Sequence, residues 1–270
     1  MGLGMSLKVL VTGASGTVGR ALSAYLEKQK CIVIKWNRTA VPVDDEEQSL
    51  AFLQRSKPDI FYHLAIASKP NPNGPDADFV NSEWPKRLAD YCARLNIRFV
   101  YVSTVMVFTS EKNGPYKADS EPNAKDGYGL MKRQAEQGVL FANPMASVAR
   151  IGWQIGQSRG SNNMIDFLEN EMDNHGVIKT SDLWLPACSF VEDTAQMLYQ
   201  LHQQEPSVYH IDSNHHWNFF EIVSALKETL GFEWKIERRS DFKYDQRMFD
   251  YRLQTPVLST RLQQLRGENA

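Results

Sequence analysis

Three glycines at three-residue intervals, Gly13, Gly16 and Gly19, follow the short apolar run Leu7–Val11. They open a stretch in which Ala21, Leu22, Tyr25 and Leu26 recur at helical spacing. A strand, a glycine turn and a helix in that order constrain this chain more than any other feature. The turn lets the backbone take positive φ and approach an anion closely, while the helix start offers free N–H groups and the positive end of its dipole. A G-x-x-G-x-x-G turn in this context points to the pyrophosphate of a dinucleotide. Hydroxyls at Thr12, Ser15 and Thr17 are placed to serve the same oxygens.

Beyond the turn, strand and helix signals alternate. Cys31–Trp36 reads as a second strand and Val41–Val43 as a short third. Glu46–Lys57 reads as a helix stopped by Pro58, and Ile60–Ala65 as a buried strand. Asp78–Asn96 is a long amphipathic stretch interrupted near its start by Pro85. Phe99–Ser103 follows as a strand, Asp126–Phe141 as a helix and Ser147–Ile151 as a strand. This rhythm predicts an α/β fold, a parallel sheet covered by helices on both faces. Later signals are less regular. Asn163–Asn174, Val191–Gln203 and Phe219–Leu230 read as helices, the last ended by Gly231. Ser207–Ile211 and Glu233–Arg238 read as strands, Thr255–Leu265 as a last short helix, and Arg266–Ala270 as a frayed tail. No Gly/Ser linker separates the halves, so their contact line is the natural place for a cleft.

Composition narrows the function. The 270 residues carry 30 basic and 32 acidic side chains, a formal net charge of −2. Nucleic-acid binding usually demands a basic excess or stripe, and neither is present. Cys31, Cys92 and Cys188 form no C-x-x-C pair, so they read as reduced thiols of a cytoplasmic protein and no metal site is expected. No apolar run reaches the ~18 residues of a membrane span, and no secretory leader is evident. Gly2 and Ser6 fit a loose myristoylation pattern, but a core strand starts at Leu7, so no lipid is expected. His63, on an apolar strand, reads as a core histidine, and His215-His216 as neighbours whose rings point apart.

The second strand ends Lys35-Trp36-Asn37-Arg38. A ribose 2′-hydroxyl is usually held by an acid at that place, and none stands there. A guanidinium suits a 2′-phosphate instead, with Arg20 and Lys35 adding positive field. NADP is therefore preferred, with NAD the other choice. Asp44 and Asp45 are placed either to accept from an adenine amino group or to cap the next helix, capping being at least as good a reading.

Tyr128 and Lys132 stand at i and i+4, one face of a helix. A free phenol titrates near ~10, and a neighbouring ammonium is expected to lower that value, so the tyrosine could protonate a carbonyl oxygen. Ser103-Thr104 ends the preceding strand, at the edge of the sheet where ligands bind. A hydroxyl there could polarise the same carbonyl, or simply bond its own backbone in a turn.

In these residues the chain resembles an extended short-chain dehydrogenase/reductase, and within that group the dTDP-4-dehydrorhamnose reductase family. The stretches that carry the resemblance are Thr12–Gly19 (TGASGTVG), Pro58–Ala65 (PDIFYHLA), Asn81, Val102–Phe108 (VSTVMVF), Pro115-Tyr116, Asp119, Pro122-Asn123, Tyr128–Lys132 (YGLMK) and Glu136. Arg150, Gly152-Trp153, Asn162-Asn163 and Phe190–Ala195 (FVEDTA) extend it over nearly the whole chain. It implies a Rossmann-type doubly wound parallel sheet over residues 1–152 and a smaller C-terminal substrate-binding lobe over 153–270, with segments near 189–211 returning to the sheet. It implies that Thr104 is the active-site hydroxyl, Tyr128 the acid/base, and Lys132 the partner of Tyr128 and of the nicotinamide ribose. Gly13, Ser15, Gly16, Thr17, Val18 and Gly19 become the pyrophosphate loop. Asn37, Arg38, Ala65 and Ala67 fall on the ribose and adenine side, and Thr104, Met106, Tyr128, Trp153 and Asn163 near a sugar-like, nucleotide-linked substrate.

The resemblance is incomplete at one place. The family commonly reads S-T-D-Y-V-F, and here Val105 and Met106 replace the acid and the tyrosine. Dehydratases of the wider group carry an Asp-Glu pair after the Thr, so the resemblance does not lead us to expect dehydration. The leading expectation is an NADPH-dependent keto-sugar reductase. The alternatives are a sugar-nucleotide epimerase with tightly held cofactor and a non-catalytic, cofactor-binding regulatory subunit. Oligomeric state stays open, a homo-oligomer included.

Overall fold

A computed structural model describes residues 6–67, 77–157 and 162–266. Gly2, the site of the lipidation pattern, and residues 267–270 of the tail lie outside them. The first half runs β1 (Lys8–Thr12), α1 (Thr17–Lys28), β2 (Ile32–Lys35), α2 (Glu46–Ser56), β3 (Ile60–His63), α3 (Trp84–Leu95) and β4 (Arg98–Thr104). It continues through β5 (Tyr116–Lys117), α4 (Gly127–Ala142), β6 (Ser147–Ile151) and β7 (Trp153–Ile155). The second half runs α5 (Met164–His175), β8 (Ile178–Ser181), β9 (Trp184–Leu185), β10 (Cys188–Phe190) and α6 (Val191–Gln200). It ends with β11 (Val208–Ile211), α7 (Phe219–Leu230), β12 (Ile236–Arg239), β13 (Tyr244–Asp245) and β14 (Met248–Phe249).

Six strands form one parallel sheet in the order β11-β6-β4-β3-β1-β2. Because strand side chains alternate, each interior strand feeds two cores. Leu10, Phe61, Phe99 and Tyr101 pack on one face against Trp84 and Leu88 of α3 and Val139 of α4. Val9, Val11, Tyr62 and Val100 pack on the other against Leu22 and Leu26 of α1 and Leu198 of α6. Full burial of each such side chain stabilises by ~1.5–3 kcal/mol before ordering costs. This is the expected doubly wound α/β sheet. The strand order reverses between β1 and β3, which places a ligand crevice at the carboxyl ends of those strands.

The second lobe is built on α5 and α7, whose Ile165, Leu168, Ile222 and Leu226 share a core with Ile178 and Trp234. Small parallel pairs β7·β10, β8·β12, β9·β13 and β5·β14 tie it together. From this lobe the chain returns to the sheet, where β11 pairs with β6.

Two readings need correction. Val41–Val43 forms no strand. Both valines are buried, but the Val41 amide bonds the Asn37 carbonyl at 2.9 Å and its own carbonyl accepts from the Trp36 indole at 3.0 Å. A turn wrapped on an indole satisfies the backbone polar groups that a ladder would otherwise pair. Thr255–Leu265 is not one helix but holds two 3₁₀ turns, Leu258–Thr260 and Gln263–Arg266.

Candidate active site

A cleft of about 740 Å³ opens at the carboxyl ends of the strands. The glycine turn, Thr104, Tyr128, Lys132, Trp153, Trp184 and Gln246 are among the residues that line it. Residues far apart in sequence thus share one cleft.

Gly13 sits at φ +66°, and a Cβ there would lie 2.8 Å from the Ala65 nitrogen. A Cβ on Gly19 would collide with the Gly13 carbonyl, so α1 starts directly against the turn. The cradle has room for backbone and for a phosphate beside it, and for no extra side chain. Thr12 does not serve it. Its hydroxyl is buried, lies 2.9 Å from His63 Nδ1, and accepts from the Leu64 amide at 3.1 Å and the Ala65 amide at 3.3 Å. It therefore braces β1 against the end of β3. Ser15, Thr17 and Val18 line the cleft. So does Arg20, whose guanidinium donates to the Ser15 carbonyl at 3.0 Å.

Tyr128 and Lys132 stand one turn apart on α4, half-buried and fully buried respectively. Gly129 between them lets the helix press against the turn after β4, since a Cβ there would collide with the Met106 carbonyl. The Lys132 ammonium donates to the Val102 carbonyl at 2.7 Å and lies 4.1 Å from the centre of the Tyr101 ring. Burial pulls its pKa down to about 7, and the Glu136 carboxylate opposes that pull. The expected lowering of the Tyr128 pKa is not what this structure gives. Burial raises it, because the amine is turned to a carbonyl and an aromatic face and does not offset the desolvation of the phenol. The Thr104 hydroxyl accepts from the Met106 amide at 3.2 Å in a capped 3₁₀ turn, the satisfied strand end that the sequence also allowed. Beside it, the Ser103 hydroxyl is buried without a hydrogen-bond partner.

Other sequence candidates fall in varied places. Met106, half exposed, and Trp153 line the cleft, and Trp153 also stacks on Trp184 with ring centres 6.1 Å apart. Asn163 is buried as the cap of α5, accepting from the Asp166 amide at 3.2 Å, while its neighbour Asn162 lines the cleft. Ala65 and Ala67 stand behind the wall that Leu64 and Ile66 present. The Ala67 amide and carbonyl are both held by the Asn81 side chain at 2.9 Å. Asn37 and Arg38 are exposed on the loop after β2 and do not line the cleft. Asp45 caps α2 through the Gln48 amide at 2.9 Å. Arg150 is buried in an ion pair with Glu136. Gln154, Trp184 and Gln246 line the cleft without having been singled out by sequence. Among the described residues no group of three or more His, Cys, Asp or Glu converges as a metal ion would need, and no helix is long and apolar enough to cross a membrane.

Known proteins resemble this chain in sequence and in fold. A dTDP-4-dehydrorhamnose reductase of Mycolicibacterium smegmatis is 29% identical over 153 residues, 55% of this chain and 46% of that protein. Methionine adenosyltransferase 2 subunit beta of Xenopus tropicalis is 26% identical over 242 residues, 83% of this chain and 72% of that protein. The crystal structure of a dTDP-4-dehydrorhamnose reductase from Bacillus anthracis, in complex with NADP, superposes with a TM-score of 0.80 at 20% identity, covering 96% of this chain and 98% of that one. That likeness is one of fold, and it makes the sheet Rossmann-like. The family model described as RmlD substrate binding domain matches residues 7–240, and the chain belongs to that family.

Proposed function

We propose that this protein is an NADPH-dependent reductase of the short-chain dehydrogenase/reductase type, acting on the keto group of a sugar-like, nucleotide-linked substrate. One observation carries the reading: the glycine cradle, Thr104, Tyr128 and Lys132 line a single cleft. The name of the Mycolicibacterium relative supports the reaction class.

The chain's residues fit the cofactor. Backbone N–H groups from Gly13 to Gly19 and the start of α1 would hold the pyrophosphate. Arg20 at the cradle and Arg38 outside it would supply charge for a 2′-phosphate. Lys132 would reach the nicotinamide ribose. When bound, NADPH supplies the hydride for the carbonyl carbon. Tyr128 gives its phenolic proton to the carbonyl oxygen, and a protonated Lys132 turned from the Val102 carbonyl toward the phenol would make that loss easier. Thr104, still accepting from the Met106 amide, donates its hydroxyl proton to the substrate carbonyl. The indole rings of Trp153 and Trp184 give the substrate an apolar wall. Incubation with NADPH and a panel of nucleotide-linked keto-sugars tests the reading. Oxidation of NADPH with formation of the alcohol is expected, and none against any member would contradict it.

A second reading, a cofactor-binding regulatory subunit, has its own support: one relative is named as a subunit of another enzyme. Val105 and Met106 in place of the family's acid and tyrosine favour it too. Tight NADPH binding without turnover, together with a stable partner protein, would decide for it. Cofactor retained through purification and a sugar re-reduced on the opposite face would decide for the epimerase.

A further inference from the structure

Behind the cleft lies a buried charge system that the proposed reaction does not use. Glu136 stands one turn beyond Lys132 and two beyond Tyr128, so all three share a face of α4. Glu136 and Lys132 are each 3% exposed. Arg150 reaches Glu136 from β6 with two forked bonds, Nε at 3.0 Å from Oε1 and Nη2 at 2.8 Å from Oε2. Arg150 also donates to His210 Nε2 at 3.2 Å, and His210 donates from Nδ1 to the Tyr116 carbonyl at 3.1 Å. The carboxylate is thus fixed in place from the sheet side.

Lys132 has no such clamp. Facing it are the Val102 carbonyl and the Tyr101 ring from β4, Glu136 from its own helix, and His63 from β3, with Tyr128 one turn back on α4. Burial holds the phenol of Tyr101 protonated and His63 neutral, with the His63 pKa down at about 3. Among these described groups Glu136, ion-paired with Arg150, is the one carboxylate.

We propose that Glu136, clamped by Arg150, is a positioning residue that sets how far up in pH the Lys132 amine keeps its proton, an inference that rests on the reading of Tyr128 and Lys132 as the proton-donating pair. Burial alone would strip the ammonium early, and a fixed carboxylate one turn away delays that loss.

Removing only the carboxylate strands the Arg150 guanidinium in the interior, so E136Q is made beside E136Q/R150Q, in which both charges go and the amide introduced from β6 can still donate to His210. The apo protein is labelled with ¹³Cε-lysine, and the Lys132 resonance, identified by its loss in K132M, is followed against pH. In either folded variant its midpoint should drop by about one unit. The alkaline limb of kcat/KM with NADPH and a keto-sugar should move down with it. A Lys132 midpoint unchanged in the double variant overturns the proposal, and so does a moved midpoint with an unmoved rate profile. Failure of the underlying reading looks different: Tyr128→Phe would keep turnover while the amine titration stayed as it is.

Discussion

The Thr104 hydroxyl already has a partner in the Met106 amide, and the Tyr128 phenol is held above its ordinary pKa by burial. Identities and spacing of these residues were legible, because Tyr128 and Lys132 at i and i+4 must share a helix face. Their protonation was not, because it depends on where the amine points, and Val102 and Tyr101 take it inward. The cofactor choice rests on Arg38, which lies exposed outside the cleft, whereas Arg20 lines it. If Arg38 meets a 2′-phosphate, Arg38→Ser should raise the Kd for NADPH about tenfold and leave that for NADH unchanged. Equal effects on the two cofactors, by fluorescence titration, would assign the preference to Arg20.

Elements differed in how much the sequence disclosed. The strands β1, β3, β4 and β6 and helix α4 lie close to where periodicity put them, since burial on both faces leaves continuous apolar runs. The segment before α3 did not read true: Phe79–Glu83 is a π-helical turn, and it carries Asn81 to the Ala67 backbone. No pattern of apolar residues announces such a turn, although it commonly marks a functional site. Nor could strand logic place Trp184 or Gln246, which reach the cleft from the second lobe. The contact between α4 and the turn after β4 is where an element controls the site. Gly129→Ala would drive its new methyl into the Met106 carbonyl and should cost about 1–3 kcal/mol of stability while displacing Thr104 from Tyr128. Thermal unfolding and kcat measured together check this. A variant with native Tm and native kcat would show that the close approach does not matter.

Taken together, the buried titratable groups give the fold a defined pH response. Burial holds His63 down at about 3 and His210 at about 4, and holds Asp212 up at about 7 despite three backbone N–H donors. Between about pH 4.5 and 6 the unfolded chain carries a proton on each histidine and none on the aspartate. The native chain carries one on Asp212 and none on the histidines. The unfolded state therefore binds about one proton more, and stability should rise with pH across that window with a slope of about one proton. Asp212→Asn should steepen it to about two. Urea unfolding at several pH values checks both, and a flat profile would contradict the protonation states assigned here.

The fold brings the Tyr128 phenol and the glycine cradle, more than a hundred residues apart in sequence, to one cleft. Turnover and NADPH binding, compared side by side for the natural protein and Tyr128→Phe, test that directly. Loss of kcat by about 10²–10⁴-fold with an unchanged NADPH Kd is the expected result. Equal turnover by both proteins would contradict it.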